Sequence, residues 1–211
     1  GFYWYAAEKR LLLSSIAFSL AALAKEVALI SVVSIILFDI YQKRNLSILK
    51  YFLLPFAAYF SWQAYVYSRF HIFSFQVGPA ARSYELSIPL KGMGQKFLEL
   101  LQAINSVRSE ELLKLFFLSH ILLAMGIAVW GAWPVQSPFQ ILALLYIGLY
   151  CFFSAKIGWT DFWGYTRHTA ELFLCIIMFY LETGKTVFLL PTVLNSVAFV
   201  LIAGVIVFIK I

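Results

Sequence analysis

An all-α polytopic transmembrane bundle of about six to seven hydrophobic helices, some short or broken, is the fold class this sequence predicts. Three observations lead there. Of 211 residues 63% are hydrophobic and only 12% charged, against roughly 25% charged in a soluble domain. The mean hydropathy is +0.87. The apolar residues also gather into runs near the 17 to 25 residues that cross a bilayer. The chain therefore reads as one transmembrane domain, 1–211, and a multi-pass protein of the plasma or inner membrane. Its opening, GFYWYAAEKR, has no initiator methionine and neither the basic head nor the cleavage site of a signal peptide, so it reads as part of a longer protein.

The first run, residues 11–38, holds Lys25 and Glu26 and no other charge. As one helix its 28 residues would measure about 42 Å against a hydrocarbon core of roughly 30 Å. As two helices meeting at Lys25-Glu26, each half would be about 18 to 21 Å. Lys9 and Arg10 before the run, and Lys43, Arg44 and Lys50 after it, mark both ends as cytoplasmic, which one crossing cannot satisfy. Both readings stand on sequence alone.

Residues 51–69 form the second run, with Pro55 near its start and Trp62, Tyr65 and Tyr67 suited to a headgroup boundary. The long polar segment 70–111 opens as an irregular Gly- and Pro-containing loop. It closes with Phe97, Leu100, Leu101, Ile104 and Val107 at helical spacing, either a solvated extension of the next span or a helix lying on the membrane surface. Runs 112–133 and 139–155 are joined by PVQSP, whose prolines stop helices from running on. Runs 170–181 and 186–209 complete the series, the last with Pro191 as a candidate kink.

Two polar constellations carry the functional signal. Lys25 and Glu26 point about 100° apart on an unbroken helix, and their neighbours at three and four positions are all Ala, Leu or Ile. An ionised side chain at a bilayer centre costs at least about 2.5 to 3.5 kcal/mol. The pair is therefore either satisfied by other helices or lines a polar cavity with Lys25 facing an anionic group. The second constellation, residues 156–172, gathers Lys156, Asp161, Arg167, His168 and Glu171 between Trp159, Trp163 and Tyr165. Arg167 and Glu171 are one helical turn apart, and an arginine at a helix mouth suits phosphate as well as a carboxylate partner. Arg82 and Tyr84 in the long loop are further substrate candidates, set against solvated loop residues. The alternating topology brings these three regions to one side.

His120 reads as a hydrogen-bonded helix contact and Glu110-Glu111 as an exposed acidic pair. Cys151 and Cys175 read as packing residues, since neither has a ligand-spaced partner. No metal is expected among these residues. The net charge of +6 is scattered through short loops, which speaks for topology and lipid headgroups and against nucleic acid.

The stretches EKRLLLSSIAFSLAALAKEVALISVVSIILFDIYQKR and FWGYTRHTAELFLCIIMFYL resemble segments of polytopic C-type (GT-C) glycosyltransferases. In the first, a small-residue-rich helix runs into a Leu-x-Lys motif; in the second, an aromatic-Gly-Tyr loop carries an Arg before a short helix. The resemblance implies transfer of a sugar from a polyprenyl-phosphate carrier to an acceptor on the extracytoplasmic side. Lys25 and Arg167 would then be cations near the carrier phosphate, with Glu26, His168, Arg82 and Tyr84 around the substrate and Asp161 and Glu171 in secondary roles. The family's acidic general base lies in an early loop upstream of anything matching residues 1–211. The chain thus reads as a C-terminal portion that requires the N-terminal part of the same protein, and the full-length enzyme has room for a divalent cation. Two other classes stay open: a transporter or channel subunit, which expects a second interrupted helix in a repeat, and a non-catalytic scaffold, which expects Lys25 and Glu26 to face partner helices.

Overall fold

The computed structural model describes residues 1–6, 8–43, 46–73, 88–103, 109–152 and 162–197, with backbone alone at 43, 46, 103, 109–114 and 162–169. Helices and turns account for these residues, and no strand occurs among them. The chain divides into two compact units, Gly1–Ser83 and Tyr84–Ile211.

The first unit comprises α1 (Phe2–Ala6), α2 (Leu11–Ala24), α3 (Ala28–Lys43) and α4 (Leu49–Phe70), the last entered through a 3-10 turn, Leu46–Ile48. Helix α2 packs most extensively on α4. It does so through small residues: Ser14, Ser15, Ser19 and Ala22 are buried beside Phe18, while Leu12, Ile16, Leu20 and Leu23 face outward. Small side chains at spacings of three and four let two helix backbones approach closely. Pro55 sits inside α4, where it has no amide hydrogen for the carbonyl of Tyr51 four residues earlier. The Ser15 hydroxyl of α2 donates to that carbonyl at 2.5 Å. The proline's missing bond is thus replaced by one that ties the two helices together.

Tyr5, Phe18, Val32, Ile35, Ile48 and Phe52 form the core of this unit. Phe52 is edge-on to Tyr5, with ring centroids 6.1 Å apart. The Tyr5 hydroxyl donates to Asp39 Oδ1 at 2.6 Å, so the buried carboxylate near the end of α3 is satisfied from α1. Val32, Ile35 and Asp39 meet Phe18 and Tyr5 only because α3 runs back along α2.

The second unit contains α5 (Lys91–Ala103), α6 (Ser109–Gly131), α7 (Pro138–Cys151) and α8 (Phe162–Thr183), followed by a 3-10 turn, Thr186–Leu189, and helical residues 190–197. Helix α6 turns Phe117, Leu118, Ile121, Ala124 and Ala128 inward at helical spacing. Helix α6 packs on α8, which buries Leu172, Cys175, Ile176 and Phe179, and on α7, which buries Leu142, Ala143 and Tyr146. His120 is buried between the rings of Phe116 and Phe173, its Nε2 hydrogen-bonded to the Pro191 carbonyl at 2.5 Å. That is the helix contact read from its surroundings. Pro191 itself falls near the start of the last helical stretch. Gly184, at φ 68°, ends α8 in the left-handed region, with its amide on the Tyr180 carbonyl.

The polytopic transmembrane bundle is not what forms. Among the described residues, no helix is long and apolar enough to cross a membrane. The first run breaks at Lys25 into helices of 14 and 16 residues, about 21 and 24 Å against a core of roughly 30 Å. Helix α7 also has only 14 residues. The longer helices gain their length from polar turns: α6 begins SEELLK, α8 begins FWGYTRHTAE, and α4 carries Lys50, Gln63 and Arg69 among its aromatics. Hydropathy windows count apolar residues without registering where the backbone hydrogen-bond ladder stops.

KGMGQ, expected as irregular loop, is the opening of α5. Met93 is buried there, and the Leu90 amide donates to the Cys151 carbonyl at 2.6 Å, which anchors the helix start on the end of α7. Packing outweighs the two glycines, each worth about 1 kcal/mol against helix. Of the five residues expected on its apolar face, Leu100 is buried, Phe97 half-buried and Leu101 exposed; Ile104 and Val107 lie outside the described residues. Residues 104–108, which join α5 to α6, lie outside the described residues.

Candidate functional site

The sharpest chemical feature of the first unit is the elbow between α2 and α3. Lys25 adopts an extended conformation, φ −154° and ψ 116°, which ends α2 while its amide still donates to the Ala21 carbonyl at 2.8 Å. Three residues later α3 begins, with Ala28, Leu29 and Ile30 donating to the carbonyls of Lys25, Glu26 and Val27 at 3.0 Å. The break sets Lys25 against the carbonyl end of α2 and Glu26 against the amide end of α3. Each charge matches the partial charge of its helix terminus, an effect of about 0.3–1 kcal/mol apiece at exposed sites. Both residues are exposed. The charged pair is therefore not sunk in the middle of an apolar helix but forms the tip of a helical hairpin.

The Glu26 charge also reaches helix α4. Burial pushes the Tyr59 phenol above its ordinary value, the nearby Glu26 carboxylate adds to that rise, and a hydrogen bond with Gln63 opposes it. Gln63 is buried, one turn beyond Tyr59 on the same helix. Sequence reading did not single out either residue. The signal available was a polar pair four apart in the aromatic run 51–69. The Glu26 carboxylate, the Tyr59 phenol and the Gln63 amide are thus linked between the elbow and the middle of α4, with Lys25 next to Glu26 in the chain. Such a set can bind an anion through Lys25 and neutral donors while Glu26 accepts from a hydroxyl.

The second constellation is only partly described. Arg167 and His168 lie in the second turn of α8, one turn before Glu171, as their spacing required; the side chains of 167 and 168 are outside the described residues, as are Asp161, Arg82 and Tyr84. Glu171 is half-buried. Burial and then its charge raise the Tyr150 phenol of α7 and push the Cys175 thiol up to about 12. A thiol held protonated in a core is unreactive, which fits the reading of Cys175 as packing. Lys25 and Arg167, expected as two cations of one site, belong to different units. No cluster of three His, Cys, Asp or Glu side chains able to hold a metal occurs among the described residues.

Sequence reading also missed the lock between α6 and α7. Gln140 is buried and spends its whole amide on the turn: Oε1 accepts from the amides of Gln136 and Ser137, and Nε2 donates to the carbonyls of Gly131 and Pro134. Ser137 caps α7 and donates its hydroxyl to Glu182 Oε2 at 2.8 Å, joining the turn to the end of α8. The pattern Ser-Pro-x-Gln was a legible capping box. Compared with known proteins, the chain finds no counterpart: no family model, curated protein or solved structure matches it.

Proposed function

We propose that the chain is the carrier-lipid part of a glycosyltransferase, working at a lipid surface on a polyprenyl-phosphate-linked sugar. The observation that carries this reading is the hairpin tip, where Lys25 and Glu26 stand exposed at the break between α2 and α3 and the Glu26 charge reaches Tyr59 of α4. A phosphate headgroup needs fixed donors, and its developing charge as a leaving group needs a cation. Its isoprenoid tail needs an apolar surface, and Leu12, Ile16, Leu20 and Leu23 of α2 supply one on the outward face. Membrane residence then rests on outward leucine and isoleucine faces rather than on any one spanning helix. The outward leucines equally suit a partner helix, which keeps the scaffold as a second reading.

Binding of a short-chain polyprenyl phosphate to the full chain tests this, with the matching polyprenol as control. Lys25→Ala removes a charge-assisted bond and should weaken phosphate binding about tenfold, while Lys25→Arg retains most of it and polyprenol binding is unchanged. Equal affinity of Lys25→Ala and the unaltered chain for the phosphate defeats the proposal and leaves the scaffold.

A further inference from the structure

Helix α2 stops at a place where its own sequence favours going on. Between residues 11 and 43 the chain holds no glycine and no proline, and the break falls in LAALAKE, residues 20–26, which are all strong helix formers. The Lys25 amide is still on the Ala21 carbonyl, in α-helical register. Beyond it the ladder is lost, and Ala28, Leu29 and Ile30 bond to carbonyls three residues back rather than four. Lys25 itself sits at φ −154° and ψ 116°, where a continuing helix requires about −63° and −42°. A break that local preference opposes is held by packing elsewhere in the fold.

The seat of α3 on the rest of the first unit supplies that packing. Val32 and Ile35 are fully buried in one cluster with Phe18 and Phe52. Toward the far end of α3 the Tyr5 hydroxyl donates to Asp39 at 2.6 Å, which fastens the helix to α1. Lys25 and Glu26 favour the bent form as well, because each matches the helix terminus beside it and would lose that match inside a continuous helix.

Opposed terms therefore meet at one elbow. Helix propensity and the backbone ladder favour a straight helix; core burial, the Tyr5–Asp39 bond and the matched termini favour the hairpin. Two packings of one sequence balanced in this way make a bistable element.

We propose that α2 and α3 form a jackknife switch. The hairpin is its closed form, a single helix over residues 11–43, about 50 Å long, is its open form, and the Tyr5–Asp39 bond is the clasp between them. Opening withdraws the Lys25-Glu26 tip and so regulates the phosphate site. That consequence rests on the function proposed above, whereas the switch itself is read as a distance whatever Lys25 binds.

Pulsed dipolar spectroscopy of the full chain, spin-labelled at Leu12 and Ile40, separates the two forms, since the open helix sets these positions about 42 Å apart. The closed form dominates the unaltered chain. Tyr5→Phe releases the clasp and should bring a second population near the long distance to at least about a tenth of the molecules. Lys25→Ala with Glu26→Ala removes the matched charges, supplies the best helix former and should shift the distances the same way. Glu26→Pro suits the extended Lys25 before it and cannot continue the helix, so in the Tyr5→Phe background it should abolish the long distance. Short distances alone in Tyr5→Phe and in the double alanine variant overturn the proposal, as does a long distance that survives Glu26→Pro. A broad distribution with loss of helical circular dichroism is unfolding rather than straightening and overturns it too.

Discussion

Ser15 shows how a single hydroxyl can replace a missing backbone bond. The carbonyl of Tyr51 loses its donor to Pro55 and gains one from α2. Ser15→Ala should cost about 1–2 kcal/mol in chemical unfolding, because a carbonyl loses its donor at a helix contact. In a Pro55→Ala background, where the helix supplies its own amide, the same change should cost clearly less. Equal costs in both backgrounds would show that the bond does not couple the two sites. Pro55 was visible in the sequence as a disturbance, but its partner was not, since the two residues meet only after α2 and α4 pack. Glu182 offers a pH test. Burial raises its carboxyl above the ordinary value while the Ser137 hydroxyl pulls it down, and the net shift is upward. The folded state then holds this proton more tightly than the unfolded state, so stability falls as pH rises from the ordinary value through the raised one. Glu182→Gln keeps an acceptor for Ser137 and removes the charge. Thermal midpoints of the two proteins should agree near pH 4 and diverge toward neutrality, with the glutamine protein the more stable. A constant difference across that range would contradict the assignment.

At the scale of elements, α2 places small residues inward and large ones outward. Ala22→Leu on the inward face should destabilise the fold by about 1–3 kcal/mol through overpacking against α4. Leu20→Gln on the outward face should change stability by less than about 0.5 kcal/mol. Denaturant midpoints of the two variants check the polarity of the helix, and the reverse ranking would mean that the buried face is misassigned. The elbow makes a separate prediction. Exchanging its charges, Lys25→Glu with Glu26→Lys, sets each against its helix terminus and should cost about 0.6–2 kcal/mol for the pair, an effect that shrinks in high salt. The elbow was half legible: the excess length of residues 11–38, the basic residues at both ends and the two charges all pointed to a break without excluding a tilted single helix. The start of α5 was not legible, because a buried Met93 and a long-range bond from Leu90 to Cys151 decide it. The capping box at Ser137 was legible and overlooked.

Across the whole molecule, the helical class follows from the runs, whereas their membrane-crossing lengths do not. Four of the runs do become helices near their expected positions: 51–69 in α4, 112–133 in α6, 139–155 in α7 and 170–181 in α8. Helix α8 begins eight residues earlier than its apolar run, since residues 162–169, FWGYTRHT, are part of the same helix. The division into two units left no trace in hydropathy, because apolar content is high on both sides of residue 83. Of the candidate site, the Lys25-Glu26 pair was read from sequence, while Tyr59 and Gln63 emerge only when helices fold back on one another. Everything assigned to the pair depends on the hairpin that brings it to an exposed tip. Spin labels at the outward positions Leu12 and Ile40, in an otherwise unaltered full chain, measure that hairpin directly by pulsed dipolar spectroscopy. A hairpin of α2 and α3 gives a single distance less than half of the roughly 42 Å that 28 residues of continuous helix would impose. A distribution centred near that longer value would mean that α2 and α3 are one helix and that Lys25 and Glu26 lie in its middle.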